Sequence, residues 1–318
     1  MNKIIFEPMY PAELYTSRPN DTAILSPIYD YTFKGIFTQE TDESELALKS
    51  FLSAVLNRQI TTVIVKSNEP AKDTKKQKNM TFDVCVQFDN GEISDIEMQA
   101  WKQSYNYSMR AEIMISRLLT NNAKRGKKWT APQVYQISIL NFHYTESDNE
   151  AMTWYTLQSD SGKKLTSRQN VIFIDLATIR EKLGTPVEKL SPVERWGLFF
   201  SYVDDDRQKE YIGEILKQEE GIMAAEKIVK TMSKANSNWY AQNSSYIAEC
   251  DANTNIYTAH QEGLAEGKAI GLLEGAQQKA IENAINCLKE GDTPEKVSRC
   301  IGLPLEKVLE LQKEIKSK

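Results

Sequence analysis

The stretch Phe82-Asp83-Val84-Cys85-Val86-Gln87-Phe88-Asp89-Asn90-Gly91-Glu92-Ile93-Ser94-Asp95-Ile96-Glu97-Met98-Gln99 reads as two strands joined by a tight turn. Phe82, Val84 and Val86 alternate with smaller or polar residues, as on a half-buried strand. Asp89-Asn90-Gly91 marks the turn, because Asn and Gly adopt positive φ at little steric cost. A three-residue turn leaves Phe88 opposite Glu92, and each step back pairs residues whose numbers sum to 180. Asp83 then faces Glu97. Opposed residues share one face of the hairpin, with Cβ atoms about 5 Å apart. Gln99, two residues beyond Glu97, belongs to that face, as do Cys85 and Asp95.

Two ionised carboxylates at that separation repel unless a proton or a cation lies between them. A divalent cation removes the conflict, and Mg²⁺ favours a few carboxylates supplemented by water and substrate phosphate. The alternative is a polar face turned to solvent. Spacing alone leaves both open, and a register slip of one residue would separate the two acids.

Outward from the hairpin, the Tyr29–Phe37 segment is helix-like. Leu46, Leu48, Phe51, Leu52, Val55 and Leu56 give a helical stripe over about Ser44 to Asn57. Ile60 to Val65 is β-branched and predicts a strand. A helix is expected from about Ser104 to Ala123, followed by a near-continuous apolar strand over Val134–Phe142 and strands at Trp154–Gln158 and Val171–Leu176. The order α, β, β, β, α, β, β, β predicts an α/β fold whose mixed sheet carries helices on its faces.

The chain divides on this reading into an N-terminal arm (1–25), an α/β core (26–180), a helical extension (181–260) and a helical tail (261–318). Residues 194–232 read as two or three helices, whereas 236–260 are polar and without a decisive period. Gly263, Gly267, Gly271 and Gly275 then recur every fourth residue and form one slowly drifting helical stripe. Each glycine weakens a helix by about 1 kcal/mol relative to Ala, so this helix is expected to take a partner, such as a second copy of the chain. Thr293-Pro294 and Gly302-Leu303-Pro304 punctuate two short terminal helices suited to docking on protein or, less well given their acids, on DNA.

The net charge of −5 argues against a surface coated for phosphate binding, but leaves room for a local basic patch. Two runs qualify, Lys72 to Lys78 and Lys124-Arg125-Gly126-Lys127-Lys128, and each reads equally as solvated loop charge. Four scattered cysteines and two histidines argue against a His/Cys zinc site and point to a reduced, cytoplasmic setting. No apolar run approaches the roughly 18 residues of a membrane span.

Several of these stretches together resemble the PD-(D/E)XK nuclease family transposases, the group that includes the recombination-promoting (Rpn/YhgA-like) nucleases. The resemblance is carried by Tyr29-Asp30-Tyr31-Thr32-Phe33-Lys34-Gly35-Ile36-Phe37, Ser50-Phe51-Leu52-Ser53-Ala54-Val55-Leu56-Asn57, Phe82-Asp83-Val84 and Ile96-Glu97-Met98-Gln99. Arg110 in the following helix, the glycine-spaced helix and Leu288-Lys289-Glu290-Gly291 also fit. It implies a restriction-endonuclease-like core and metal-dependent cleavage of DNA with Mg²⁺ or Mn²⁺. Asp83 would be the first metal ligand and Glu97 the second, with Asp30 or Glu45 as a supporting acid; Asp30 reads equally as a helix N-cap. Gln99 stands where the general pattern has Lys, and an amide can only hydrogen-bond. Lys34, Arg110, Lys124, Arg125, Lys127 and Lys128 would contact the DNA backbone or lie as surface charges. A catalytically silent binding or oligomerising module of the same fold is the competing expectation.

Overall fold

The computed structural model describes residues 17–66, 82–102, 107–124, 128–144 and 150–316. Helices α1 (Asp30–Phe37) and α2 (Asp42–Leu56) precede strands β1 (Val63–Val65), β2 (Val84–Phe88) and β3 (Ile93–Gln99). Helix α3 (Tyr107–Asn121) leads to β4 (Val134–Leu140), β5 (Met152–Thr156) and β6 (Gln169–Asp175). The six strands form one sheet in the order β1-β2-β3-β4-β6-β5. β3, β4 and β6 run parallel, and the outer pairs are antiparallel. This is the mixed sheet expected from the element order. β1 is shorter than the Ile60–Val65 run suggested, and β5 begins two residues earlier than expected.

The hairpin register is the counted one. Val84 pairs with Ile96, Cys85 with Asp95, Val86 with Ser94 and Gln87 with Ile93. The turn closes through Phe88 N–H donating to the Glu92 carbonyl at 2.9 Å and Gly91 N–H donating to the Phe88 carbonyl at 3.0 Å. Gly91 takes the turn's positive φ of 81°, where a side chain would be strained.

Period-two alternation then separates the sheet's faces. Val84, Val86, Ile96, Met98, Ile137, Ile139, Ile172 and Ile174 point into the main core. That core includes Phe33 and Phe37 of α1, Phe51 and Leu52 of α2, and Trp196 and Phe200 of α5 (Pro192–Tyr202). The other face lies under α3: Cys85, Ile93 and Val134 meet Met114, Ile115 and Leu118, while Leu140 and Phe173 meet Tyr107 and Ala111. The even-numbered face of β2 and β3 is thus buried and, apart from Ser94, apolar. The odd-numbered face carries the acids.

After the short α4 (Leu176–Arg180), helices α5, α6 (Lys209–Gln218) and α7 (Glu220–Ser233) pack into the same main core as the sheet. Ser191 caps α5 with a complete capping box closed by Glu194, and Pro192 occupies its first turn. Leu25 is fully buried and donates its N–H to Ser233 Oγ at 2.9 Å, so the last residues of the N-terminal arm are fastened to α7.

Two compact units result, Met1–Ile247 and Ala248–Lys318. Helix α8 (Asn236–Lys289) begins in the first, where Trp239 is buried. The polar 236–260 stretch is therefore helical throughout. In the second unit, Ala284, Val297, Val308 and Leu311 form a small core joining the end of α8 to α9 (Pro294–Ile301) and α10 (Leu305–Lys316). Gly302 ends α9 at a φ of 81°. A Cβ at Gly263, Gly267, Gly271 or Gly275 would meet nothing within 4 Å.

Gly221 lies where α7 crosses α2, and a methyl group there would overlap the Ser50 side chain. Gly221→Ala is expected to destabilise the protein by about 1–3 kcal/mol through forced separation of the two helices, read by urea unfolding. An unchanged midpoint would show that the crossing yields without cost.

Candidate active site

Asp83 lies one residue before β2, and the register that pairs Val84 with Ile96 places it across from Glu97. Asp95, Glu97 and Gln99 follow one another along the α3-facing side of β3. Across the parallel ladder, Asp95 pairs with Gln136, Glu97 with Ser138 and Gln99 with Leu140 of β4. The sheet thus builds a row of polar side chains on a rigid surface at the centre of the fold.

Helices supply its cations. The Lys34 ammonium, from α1, lies 3.1 Å from Asp83 Oδ1 and 2.9 Å from Asp30. Burial works against that ammonium, but attraction to Asp83 and the hydrogen bond and charge of Asp30 outweigh it and hold its pKa above the usual lysine value. Asp30 is the first residue of α1, whose N-cap is Tyr29, and its carboxylate engages Lys34. Arg110 of α3 donates to Glu97 Oε1 at 2.8 Å, and Tyr107 OH donates to Glu97 Oε2 at 3.1 Å. Residues three apart on a helix share a face, which is why one helix delivers both groups to one carboxylate. Burial, reinforced by the Glu97 charge, pushes the Tyr107 hydroxyl pKa far up, so it stays a donor.

The acids outnumber these cations. Asp30, Asp83, Asp95 and Glu97 stand against Lys34 and Arg110, so that with all four ionised the cluster would carry two uncompensated negative charges. Burial and then the charges of Asp30 and Glu97 push Asp83 up to about 7, despite the opposing pull of Lys34. Asp95 is fully buried, and the Gln136 side chain beside it across the ladder supplies only partial compensation for its charge. Burial, then Glu97 and Asp83, raises its pKa well above the carboxylate range. Such a cluster fits a divalent cation on chemical grounds, since two positive charges would balance it. Among the described residues, no three or more His, Cys, Asp or Glu side chains form a group able to hold a metal ion. A site built on two carboxylates would need water and substrate phosphate to complete the shell, as Mg²⁺ tolerates.

The other sequence candidates fall in different places. Gln99 is half-buried at the end of β3. Glu45 lies on α2 and pairs with Lys49. Lys124 and Lys128 are exposed, with Lys124 bridged to Thr130, while Arg125, Lys127 and the Lys72–Lys78 run lie outside the described residues. Tyr107 and the burial of Asp95 were not legible before the fold. The spacing of Tyr107 and Arg110 on one helix was the available signal.

Asp83 generates a pH prediction. Its folded pKa lies above the unfolded value near 4, so the native state holds the extra proton between about pH 4 and 7, and stability falls as pH rises through that window. Asp83→Asn removes this penalty. In EDTA at pH 8 it is expected to be more stable than the unsubstituted protein by on the order of 1 kcal/mol or more, and indistinguishable near pH 4, by urea unfolding. Equal or lower stability at pH 8 would contradict the buried-acid account.

Searches among curated proteins and among solved structures return no match. The family model for PD-(D/E)XK nuclease family transposases matches residues 27–259, which contain α1, the hairpin with Asp83 and Glu97, α3 and the whole sheet. The six-stranded mixed sheet flanked by helices is consistent with that nuclease fold. With most of its length matched, the chain belongs to the PD-(D/E)XK nuclease family transposases.

Proposed function

We propose that the protein is a metal-dependent DNA endonuclease that hydrolyses phosphodiester bonds at the Asp83–Glu97 site, using Mg²⁺ or Mn²⁺. The observation that carries this reading is the clustering of four carboxylates against two cations, within a fold whose family is nuclease-like. A bound divalent cation would supply Lewis acidity at a phosphate oxygen and a water of lowered pKa. The chain's own residues position the reaction. Asp83 and Glu97 would hold the ion from adjacent strands. Arg110 and Tyr107 fix the Glu97 carboxylate through both oxygens. Gln99 would orient the attacking water by hydrogen bonding, and Asp30 would support the site's charge. Lys124, Arg125, Lys127 and Lys128 would meet the DNA backbone. Breaks made in this way would promote recombination, and strand transfer is no part of this reading.

The four cysteines are free, which supports a cytoplasmic setting. No helix among the described residues is long and apolar enough to cross a membrane. The glycine stripe of α8 faces open space, and Leu264, Leu272 and Leu273 nearby are exposed, which supports self-association through this helix.

Two observations favour a second reading, a catalytically silent module of the same fold. Asp83 and Glu97 already carry Lys34 and Arg110, and Gln99 offers an amide with no charge beside them. A plasmid nicking assay separates the two. Nicking is expected with Mg²⁺ or Mn²⁺, none in EDTA, and a fall on the order of 100-fold or more in Asp83→Ala and Glu97→Ala. Cleavage surviving both substitutions contradicts the assignment, and calorimetry showing no Mn²⁺ binding supports the silent module.

A further inference from the structure

We propose that Lys34 is a catalytic lysine of this site, supplying from α1 the positive charge that the neutral amide of Gln99 on β3 does not. The inference deepens the nuclease reading and rests on it. Among the described residues whose contacts are given, Lys34 is the lysine whose ammonium reaches a candidate metal-binding carboxylate, at 3.1 Å from Asp83 Oδ1. Its second partner, Asp30, is one helical turn away at 2.9 Å, so the side chain is held extended toward the acids by its own helix. The backbone beneath it is fixed as well. Gly35 lets α1 press against Met232, where any Cβ would overlap the thioether. Lys34 is also reachable. With Asp30 it lines a cleft shared by Tyr31, Thr38, Gln39 and Asn238, and its side chain is 29% exposed. A phosphate entering this cleft meets the ammonium and Asp30, and the same ammonium is the one that contacts Asp83.

The chemistry asks for such a group. In phosphodiester hydrolysis a bond forms between the water oxygen and phosphorus, and the bond between phosphorus and one ester oxygen breaks. One proton of the water goes to solvent and the other ends on the leaving alcohol. Negative charge gathers on the non-bridging oxygens and the departing oxygen meanwhile. An ammonium offers three donors and a full charge, whereas the Gln99 amide offers donors without charge. Lys34 keeps its proton throughout. It donates hydrogen bonds to the attacking water or a non-bridging oxygen and offsets the growing charge.

The competing explanation is that Lys34 only neutralises Asp30 and Asp83. Lys34→Met and Lys34→Arg in the full chain distinguish the two, with Mn²⁺ affinity by calorimetry and Mn²⁺-dependent plasmid nicking measured for each. Nicking by Lys34→Met is expected to fall about 100-fold or more while Mn²⁺ binds as tightly as before or more so. Lys34→Arg is expected to remain about 10-fold or more below the unsubstituted protein, because a planar guanidinium does not reproduce a compact ammonium. Nicking by Lys34→Met within about threefold of the unsubstituted protein overturns the proposal. So does loss of Mn²⁺ binding and nicking together in Lys34→Met with full recovery in Lys34→Arg, which is the signature of charge neutralisation alone. An unsubstituted protein that binds Mn²⁺ but does not nick overturns the nuclease reading, and the lysine assignment falls with it.

Discussion

The register of the β2–β3 hairpin is the constraint on which the rest depends. Three turn residues, Asp89, Asn90 and Gly91, set which residue of one strand opposes which of the other. Because side chains alternate, that choice also decides which set faces the main core. The set Val84, Val86, Ile96 and Met98 enters the apolar interior with α1, α2 and α5. Asp95, Glu97 and Gln99 are thereby confined to the face beneath α3, with Asp83 at the entry to β2 beside Lys34 of α1. A slip of one residue would bury charges among phenylalanines and turn the apolar stripe toward α3. The hydrophobic effect and the polar site therefore enforce the same pairing.

The consequence is a concentration of like charge at the centre of the sheet. Each acid is stabilised by something brought from another element: Lys34 from α1, Arg110 and Tyr107 from α3. Those contacts leave the cluster short of positive charge, and the raised proton affinity of Asp83 and Asp95 expresses that shortage. In the absence of metal, protons fill part of the deficit. A divalent ion would compete for the same deficit, so metal binding and carboxylate ionisation are linked in this fold.

Much of this was legible in the sequence, for identifiable reasons. The turn signature and strand alternation are local, so counting along the chain placed Asp83 against Glu97, and the paired positions 84–87 follow that count. The mixed sheet followed from the order of periodic segments. What was not legible depends on tertiary packing. Nothing near Lys34 in the chain announces Asp83, which reaches it only because Phe33 and Phe37 seat α1 in the main core. Asp95 reads as a solvent-facing residue until α3 is seen to cover it. Residues 236–260 lack an apolar stripe, yet continue a helix whose start is anchored by Trp239. Leu25 sits in a segment without periodicity, yet it joins the main core and donates its N–H to Ser233 of α7.

The central claim is that the opposed acids form a divalent-cation site with Lys34 beside it. Anomalous scattering from a crystal soaked in Mn²⁺ tests it most directly. The account predicts one or two peaks coordinated by the carboxylates of Asp83 and Glu97, with the Lys34 ammonium beside Asp83. A fully soaked crystal with no peak at these carboxylates, or with Mn²⁺ bound only elsewhere, would contradict it.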